Sequence, residues 1–263
     1  MSGSIEHRAK KRWGQHFLLQ PSIARRMVDL LQPHFNTIVE IGPGTGALTR
    51  WLWERYGSQV QLVEIDPDLS NRLQERYPAF SDCIHTADFI DFSLAKYPPP
   101  TTLIGNLPYN VSSQILFKTL KNKDIINQAV FMVQKEVADR INAGPFSKKY
   151  GILSVLVQLF FSTSVAFEVG KMNFVPIPNV TSAVLTLARN NRTLPESVEK
   201  MLFSVVKQAF NQRRKILRNS LKACLPHIGT KPWFASFANK RPEQLHVEDF
   251  AKLAGYICSV EDK

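Results

Sequence analysis

The stretch that most constrains this chain is Thr37-Ile38-Val39-Glu40-Ile41, which runs directly into Gly42-Pro43-Gly44-Thr45-Gly46. The β-branched, apolar run reads as a buried strand, and the glycines after it permit a tight turn and close approach of backbone to a ligand. Beyond the turn, Leu48, Leu52 and Trp53 share one face of a helical pattern, and Val60-Gln61-Leu62-Val63-Glu64-Ile65-Asp66 reads as the next strand. A strand, a helix and a second strand at this spacing make a βαβ unit and predict a parallel sheet. Glu64 stands 22 residues after Gly42, near the roughly 20 at which an acidic side chain meets a ribose. The glycine pattern is G-x-G-x-G rather than the G-x-G-x-x-G of pyrophosphate binding, and Pro43 removes an amide donor. A nucleoside lacking phosphates fits this better than a dinucleotide, and S-adenosylmethionine is the common one. The simpler alternative is a tight βα turn with no ligand.

Two later strand ends extend the pattern. Cys83 to Phe89 predicts a third strand ending at Asp88, whose carboxylate could accept from an adenine amino group or merely cap a helix. After the stiff Tyr97-Pro98-Pro99-Pro100 connector, Thr101 to Ile104 predicts a fourth strand that opens into Gly105-Asn106-Leu107-Pro108-Tyr109-Asn110. Pro108 biases Leu107 to extended geometry and can aim its carbonyl outward. Asn106 offers an amide oxygen and Tyr109 a stacking face. That set suits a flat exocyclic amine, although Asn and Pro also mark ordinary turns. Gly42, Glu64, Asp88 and Asn106 would close successive strands, and in an open parallel sheet ligands gather at the carboxyl ends of the strands.

The charge balance points to the partner. Against 22 acidic side chains the 263 residues carry 33 Lys and Arg, a net +11, which favours a polyanion, nucleic acid or anionic membrane. No apolar run reaches a membrane span, and the start has no apolar signal core. Cys83, Cys224 and Cys258 are far apart and odd in number, unlike a disulfide framework or a zinc site. A cytoplasmic protein with reduced thiols and no bound metal is expected. Basic clusters sit in three places: Arg8 to Arg12, just before Trp13; Ser147-Lys148-Lys149-Tyr150; and Arg213-Arg214-Lys215 with Arg218. Arg12, Lys148, Lys149, Arg213, Arg214, Lys215 and Arg218 are therefore the candidate phosphate contacts, the last four read as lying on a helix. A solvated surface run is the plain alternative for each.

Ala129 to Gln134 predicts a fifth strand, Ile152 to Phe161 a buried helix, and Ser164–Val169 and Ala183–Leu187 two final strands. Between the last two, the Pro-bounded loop around Phe174 reads as a ledge that presents Phe174 as a second stacking face. Near Arg189 the texture changes. Asn190 to Pro195 looks like a linker, and residues 190–263 are helical in pattern, with 13 Lys and Arg against 7 Asp and Glu. Two domains are expected, 1–189 with a basic N-terminal arm and 190–263.

In this order Gly14-Gln15-His16-Phe17-Leu18, Glu40-Ile41-Gly42-Pro43-Gly44, Asn106-Leu107-Pro108-Tyr109-Asn110, Gln134-Lys135-Glu136-Val137-Ala138, the Phe174 loop and Ala209-Phe210-Asn211-Gln212-Arg213-Arg214-Lys215 span almost the whole chain. Together they resemble the ribosomal RNA adenine N6,N6-dimethyltransferase family, and most closely its bacterial small-subunit (KsgA-type) branch. The resemblance implies an α/β fold: a Rossmann-like methyltransferase domain with a mostly parallel seven-stranded sheet and one reversed strand, plus a small helical C-terminal domain. It implies S-adenosyl-L-methionine against His16, Leu18, Gly42, Glu64, Asp88 and Asn106. His16 stands where the family pattern has Asn. The implied target is two adjacent adenosines in the 3′-terminal helix of 16S rRNA, in a pre-30S particle; a monomer is expected, since nothing in the sequence asks for more.

The chemistry also follows from the residues. An adenine N6 lone pair is delocalised into its ring and is a poor nucleophile. Accepting its hydrogens at Asn106 Oδ1 and the Leu107 carbonyl favours a tetrahedral nitrogen aimed at a methyl donor, and positioning can supply much of the rate without a dedicated base. Pro108 holds the turn, while Tyr109 and Phe174 would sandwich an extruded adenine. The rival readings are methylation of large-subunit rRNA, a binding-only assembly factor, and a nicotinamide-dependent reductase. The Gln134–Arg140 segment and the Arg213 cluster favour the small-subunit branch over the first. The complete strand-end set argues against the second, and the glycine spacing against the third.

Overall fold

The computed structural model describes residue 10 and residues 13–222, 225 and 228–261. The elements run β1 (Phe17–Leu18), α1 (Pro21–Val28), β2 (Thr37–Ile41), α2 (Thr49–Tyr56), β3 (Val60–Glu64), α3 (Pro67–Arg76), β4 (Ile84–Thr86), β5 (Thr101–Asn106) and α4 (Ser112–Lys121). They continue with β6 (Ile126–Gln134), α5 (Lys135–Ile141), α6 (Ile152–Phe160), β7 (Phe161–Val169), β8 (Phe174–Val175), β9 (Ser182–Arg189), α7 (Glu196–Asn211), α8 (Leu217–Ser220), α9 (Ala235–Ala238) and α10 (Val247–Glu261).

A seven-stranded sheet has the order β4-β3-β2-β5-β6-β9-β7. The β2–β3, β3–β4, β2–β5 and β5–β6 pairs are parallel, while β9 runs antiparallel to β6. This is the mostly parallel sheet with a reversed strand that the resemblance implies. The local reasons are legible. Every residue of β2 is buried, as a strand covered on both faces must be. Asp66 caps α3 by accepting from the Asp68 N–H, with Pro67 in the first turn, where its missing N–H costs nothing. Ala24, Met27 and Val28 of α1, Leu52 and Trp53 of α2 and Leu73 of α3 pack on Ile38, Leu62, Ile104 and Val130 of the sheet.

The chain divides into two compact units, residues 1–138 with 164–189, and residues 139–163 with 190–263. One boundary between the units falls between Arg189 and Asn190, and 139–163 group with the C-terminal residues rather than with the sheet. The cause is α6, whose Leu153, Val155, Leu156, Val157, Leu159 and Phe160 are all buried and which packs on α7 and α10. In that second unit Tyr150 meets Phe210 edge-on at 5.9 Å, and Phe210 lies 5.8 Å from Phe250.

Boundaries moved where long-range pairing outweighed local pattern. The third strand spans only Ile84–Thr86 and stops short of Asp88. Phe17–Leu18, not anticipated as a strand, pairs antiparallel with Phe174–Val175. The helix expected to carry the third basic cluster ends at Asn211, so Arg213, Arg214 and Lys215 lie in a turn before α8.

Candidate active site

At the carboxyl ends of β2, β3 and β5 an open cleft is lined by Trp13 to Leu18, Glu40, Gly42 to Thr45, Glu64 and Ile65, and Asn106 to Tyr109, among others. Gly42 and Gly44 have φ of +62° and +59°, and a Cβ on Gly44 would sit 3.2 Å from the Phe17 ring. The loop is thus a glycine turn for two reasons, left-handed backbone and close approach. Its backbone is tied to the next strand. Gly44 N–H donates to Glu64 Oε2 at 2.9 Å, and Asp66 N–H donates to Glu64 Oε1 at 2.9 Å.

Two buried carboxyls face this cleft. Burial pushes Glu64 above its ordinary value, against the hydrogen bonds from Asp66 and Gly44. Glu40, 1% exposed, accepts from Thr49 Oγ1 at 2.7 Å. Its carboxyl is pushed up to about 8 by burial, with the neighbouring Glu64 adding to the rise. A cationic guest would favour the charged forms of these acids, and an anionic one would oppose them. That chemistry fits a sulfonium nucleoside and disfavours a pyrophosphate. Glu40 was not singled out as a site residue from sequence, although a lone acid inside Thr-Ile-Val-Glu-Ile is itself a signal.

The β5 end carries the second half of the site. Asn106 Nδ2 donates to the His16 carbonyl at 2.8 Å. Only the NH₂ end can donate, so this bond fixes the amide with Oδ1 as the acceptor left to face other partners. Leu107 is buried and its N–H donates to the Met132 carbonyl at 3.0 Å, which anchors the turn that Pro108 continues. The Tyr109 hydroxyl bonds Ser182 Oγ at 2.7 Å, so a residue on β9 sets the plane of the ring. The His16 imidazole stacks on that ring at 5.2 Å and 26°, and its Nδ1 bonds the Pro176 carbonyl at 2.7 Å. Gly105 behind them is obligatory: a Cβ there would lie 2.5 Å from the Ile41 carbonyl oxygen.

Lys10 and Gln15 are tied to the loop that follows β3, a feature sequence reasoning missed. Lys10 Nζ bonds Asp66 Oδ1 at 2.8 Å and Asp68 Oδ2 at 2.6 Å, and Gln15 Nε2 reaches Asp66 Oδ2 at 3.3 Å. Burial raises the Asp66 carboxyl, but the Lys10, Gln15 and Asp68 hydrogen bonds outweigh it and hold the group below its usual range. Gly14 turns at φ +60°, where a Cβ would strike Asn110 Oδ1 at 2.7 Å.

His16, Leu18, Gly42, Glu64, Asn106, Leu107, Pro108 and Tyr109 are thus gathered in one cleft. Two expected members are not. Phe174 is fully buried in the core with Leu18, its β-pair partner, so it presents no open face. The ledge reading fails because the Pro-bounded loop closes as a strand against β1. Asp88 is exposed outside the cleft lining, and its Oδ1 accepts from the Ile90 N–H at 2.8 Å, closing a turn rather than capping a helix.

The basic residues also sort. In the second unit Arg213 donates from Nε to Glu243 at 2.8 Å and from its two terminal nitrogens to the Lys148 carbonyl at 2.6 Å and the Ser147 carbonyl at 2.9 Å. Its guanidinium is committed to the protein, so Arg213 positions a loop and is no open phosphate contact. Lys149 pairs with Asp139 at 2.7 Å. Lys148, Arg214, Lys215 and Arg218 are exposed. Arg12 lies outside the described residues. Among the described residues no cluster of three His, Cys, Asp or Glu could hold a metal, and no helix is long and apolar enough to cross a membrane.

Comparison with known proteins bears on all of this. Residues 6–257 match the model of a family described as ribosomal RNA adenine dimethylase. The chain is 44% identical over 251 residues to the ribosomal RNA small subunit methyltransferase A of Bacteroides thetaiotaomicron, covering 94% of this chain and 93% of that one. It is 45% identical over 250 residues to the protein of the same name from Porphyromonas gingivalis, covering 94% and 96%. Among solved structures, a dimethyladenosine transferase from Plasmodium falciparum superposes with a TM-score of 0.76 at 24% identity, over 90% of this chain and 96% of that one. The 23S rRNA methyltransferase ErmE superposes with a TM-score of 0.64 at 26% identity, over 90% and 99%.

Proposed function

The chain belongs to the ribosomal RNA adenine dimethylase family, and from that premise we propose how its residues work and on what. It is an S-adenosylmethionine-dependent rRNA adenine N6,N6-dimethyltransferase of the small-subunit type. The finer reading is that it acts in the cytoplasm as a monomer on a pre-30S particle. There it modifies two adjacent adenosines in the 3′-terminal helix of 16S rRNA. Bound S-adenosylmethionine supplies an electrophilic methyl on a sulfonium.

The observation that carries the residue roles is the Asn106 amide, pinned by the His16 carbonyl with Oδ1 as its acceptor end. In this reading Asn106 Oδ1 and the Leu107 carbonyl accept the two N6 hydrogens of an extruded adenine. That draws the nitrogen toward a pyramidal shape and aims its lone pair at the methyl carbon. The displaced proton passes to water after transfer, so no base is required. The adenine stacks on Tyr109 in the position the His16 imidazole holds in this structure, with His16 turning aside. Glu64 receives the ribose hydroxyls and Gly42 allows close backbone approach, with Leu18 packing alongside. The cationic guest favours the charged form of Glu64, offsetting the rise that burial imposes. Asp88, exposed just beyond the cleft lining with Oδ1 engaged by the Ile90 N–H, offers Oδ2 to the adenine amino group of the cofactor. Exposed Lys148, Arg214, Lys215 and Arg218 meet rRNA phosphates.

The test is methyl transfer from labelled S-adenosylmethionine to small subunits lacking the modification, for the wild type and Asn106→Ala. Label recovered as N6,N6-dimethyladenosine from 16S rRNA, reduced by about 100-fold or more in the variant, is expected. An unaffected Asn106→Ala rate would sink the assigned role of the amide. Label found in large subunits alone would keep the chemistry and move the target.

A further inference from the structure

Phe146 is the least economical residue of the second unit. Its side chain is 70% exposed, and its backbone sits at φ +66°, a left-handed conformation that bulky residues avoid. Both features disfavour phenylalanine, since solvent gains nothing from the ring and glycine or asparagine would adopt the turn more readily.

The loop that carries it is held firmly. Phe146 N–H donates to the Glu243 carbonyl at 2.7 Å and Tyr150 N–H to the Ser147 carbonyl at 3.1 Å. Gln158 Nε2 binds the Ile141 and Ala143 carbonyls at 2.6 and 2.7 Å. Arg213 clamps the Ser147 and Lys148 carbonyls while paired to Glu243. Thus a well-anchored loop holds an aromatic face out to solvent, two residues before exposed Lys148 and three before Lys149, which pairs with Asp139. The residue that clamps the loop is itself followed by exposed Arg214 and Lys215.

We propose that Phe146 is a stacking platform for an unpaired base of small-subunit rRNA, set among cations that contact the flanking phosphates. An exposed ring among cations suits single-stranded nucleic acid, because every base offers a π-face and the ring is already ordered. The inference rests on the rRNA-methyltransferase reading above and names a contact remote from the reacting base.

The test uses the full chain as wild type, Phe146→Asn and Phe146→Trp, binding small subunits that lack the modification. Asparagine accepts the left-handed turn but removes the ring. The expected result for Phe146→Asn is unchanged or higher Tm, unchanged S-adenosylmethionine affinity, and a Kd for subunits on the order of tenfold weaker, the loss of one base stack. Its salt slope should match the wild type, since no charge is lost. Phe146→Trp should restore binding to within about twofold. Benzoylphenylalanine placed at position 146 should photo-crosslink to 16S rRNA. An unchanged Kd for Phe146→Asn, or crosslinks to a ribosomal protein alone, would overturn the platform while leaving the enzyme reading standing. A wild type that neither binds nor labels small subunits would overturn both.

Discussion

Replacing Glu40 by Gln should remove one pH-dependent contribution to stability and leave the others in place. Glu40 is buried and accepts from Thr49 Oγ1 at 2.7 Å, and the amide of Gln copies the shape and donor pattern of the protonated acid. In the folded chain the carboxyl titrates near 8, against an ordinary 4.5. Between those values the folded state keeps a proton that the unfolded state has released. The stability it contributes is therefore complete below about pH 4.5 and is lost as pH rises through about 8. At about 1.4 kcal/mol per pH unit, the full rise sets a ceiling of about 5 kcal/mol, and relaxation around the new charge should leave roughly 2–3 kcal/mol. The assay is urea unfolding at matched ionic strength from about pH 5 to about pH 8.5, followed by tryptophan fluorescence. Glu64, also raised by burial, contributes with the same sign in both proteins, so the informative quantity is the difference between variant and wild type. That difference should move in favour of Glu40→Gln as pH rises. Parallel pH curves for the two proteins would refute the assignment of a proton to Glu40.

Gly105→Ala should destabilise the sheet unit by about 3 kcal/mol or more, read as a fall in Tm, because its Cβ would lie 2.5 Å from the Ile41 carbonyl and force β2 and β5 apart. Arg213→Ala and Arg214→Ala should separate two uses of one basic cluster. The first should lower stability by about 1–3 kcal/mol through loss of the Glu243, Ser147 and Lys148 bonds. The second should leave Tm unchanged, weaken subunit binding and reduce the salt slope by about 1. Equal salt slopes for wild type and Arg214→Ala would remove Arg214 from the phosphate contacts.

Much of this protein is written locally. Thr37–Ile41, the glycine turn and Val60–Glu64 specify a βαβ unit from residues within reach of one another, because side-chain periodicity and backbone permissiveness need no distant partner. The same holds for Glu64 and for the Asn106 to Tyr109 turn, whose place at strand ends follows once the strands are assigned. What tertiary structure decided involves partners far apart in sequence. The His16 carbonyl fixes the Asn106 amide across 90 residues and Ser182 fixes Tyr109 across 73. Phe174 looked like an exposed ledge because its neighbours are prolines, but pairing with Leu18 buried it. Arg213 looked like a phosphate contact because its neighbours are cations, but Glu243 and two loop carbonyls took its guanidinium. Residues 139–163 left the sheet unit because α6 is apolar over most of its surface and needs the helices α7 and α10 to cover it. Local sequence thus determines which groups are available and where the chain turns. Whether a ring or a cation is free to meet a ligand depends on which distant backbone groups have already satisfied it.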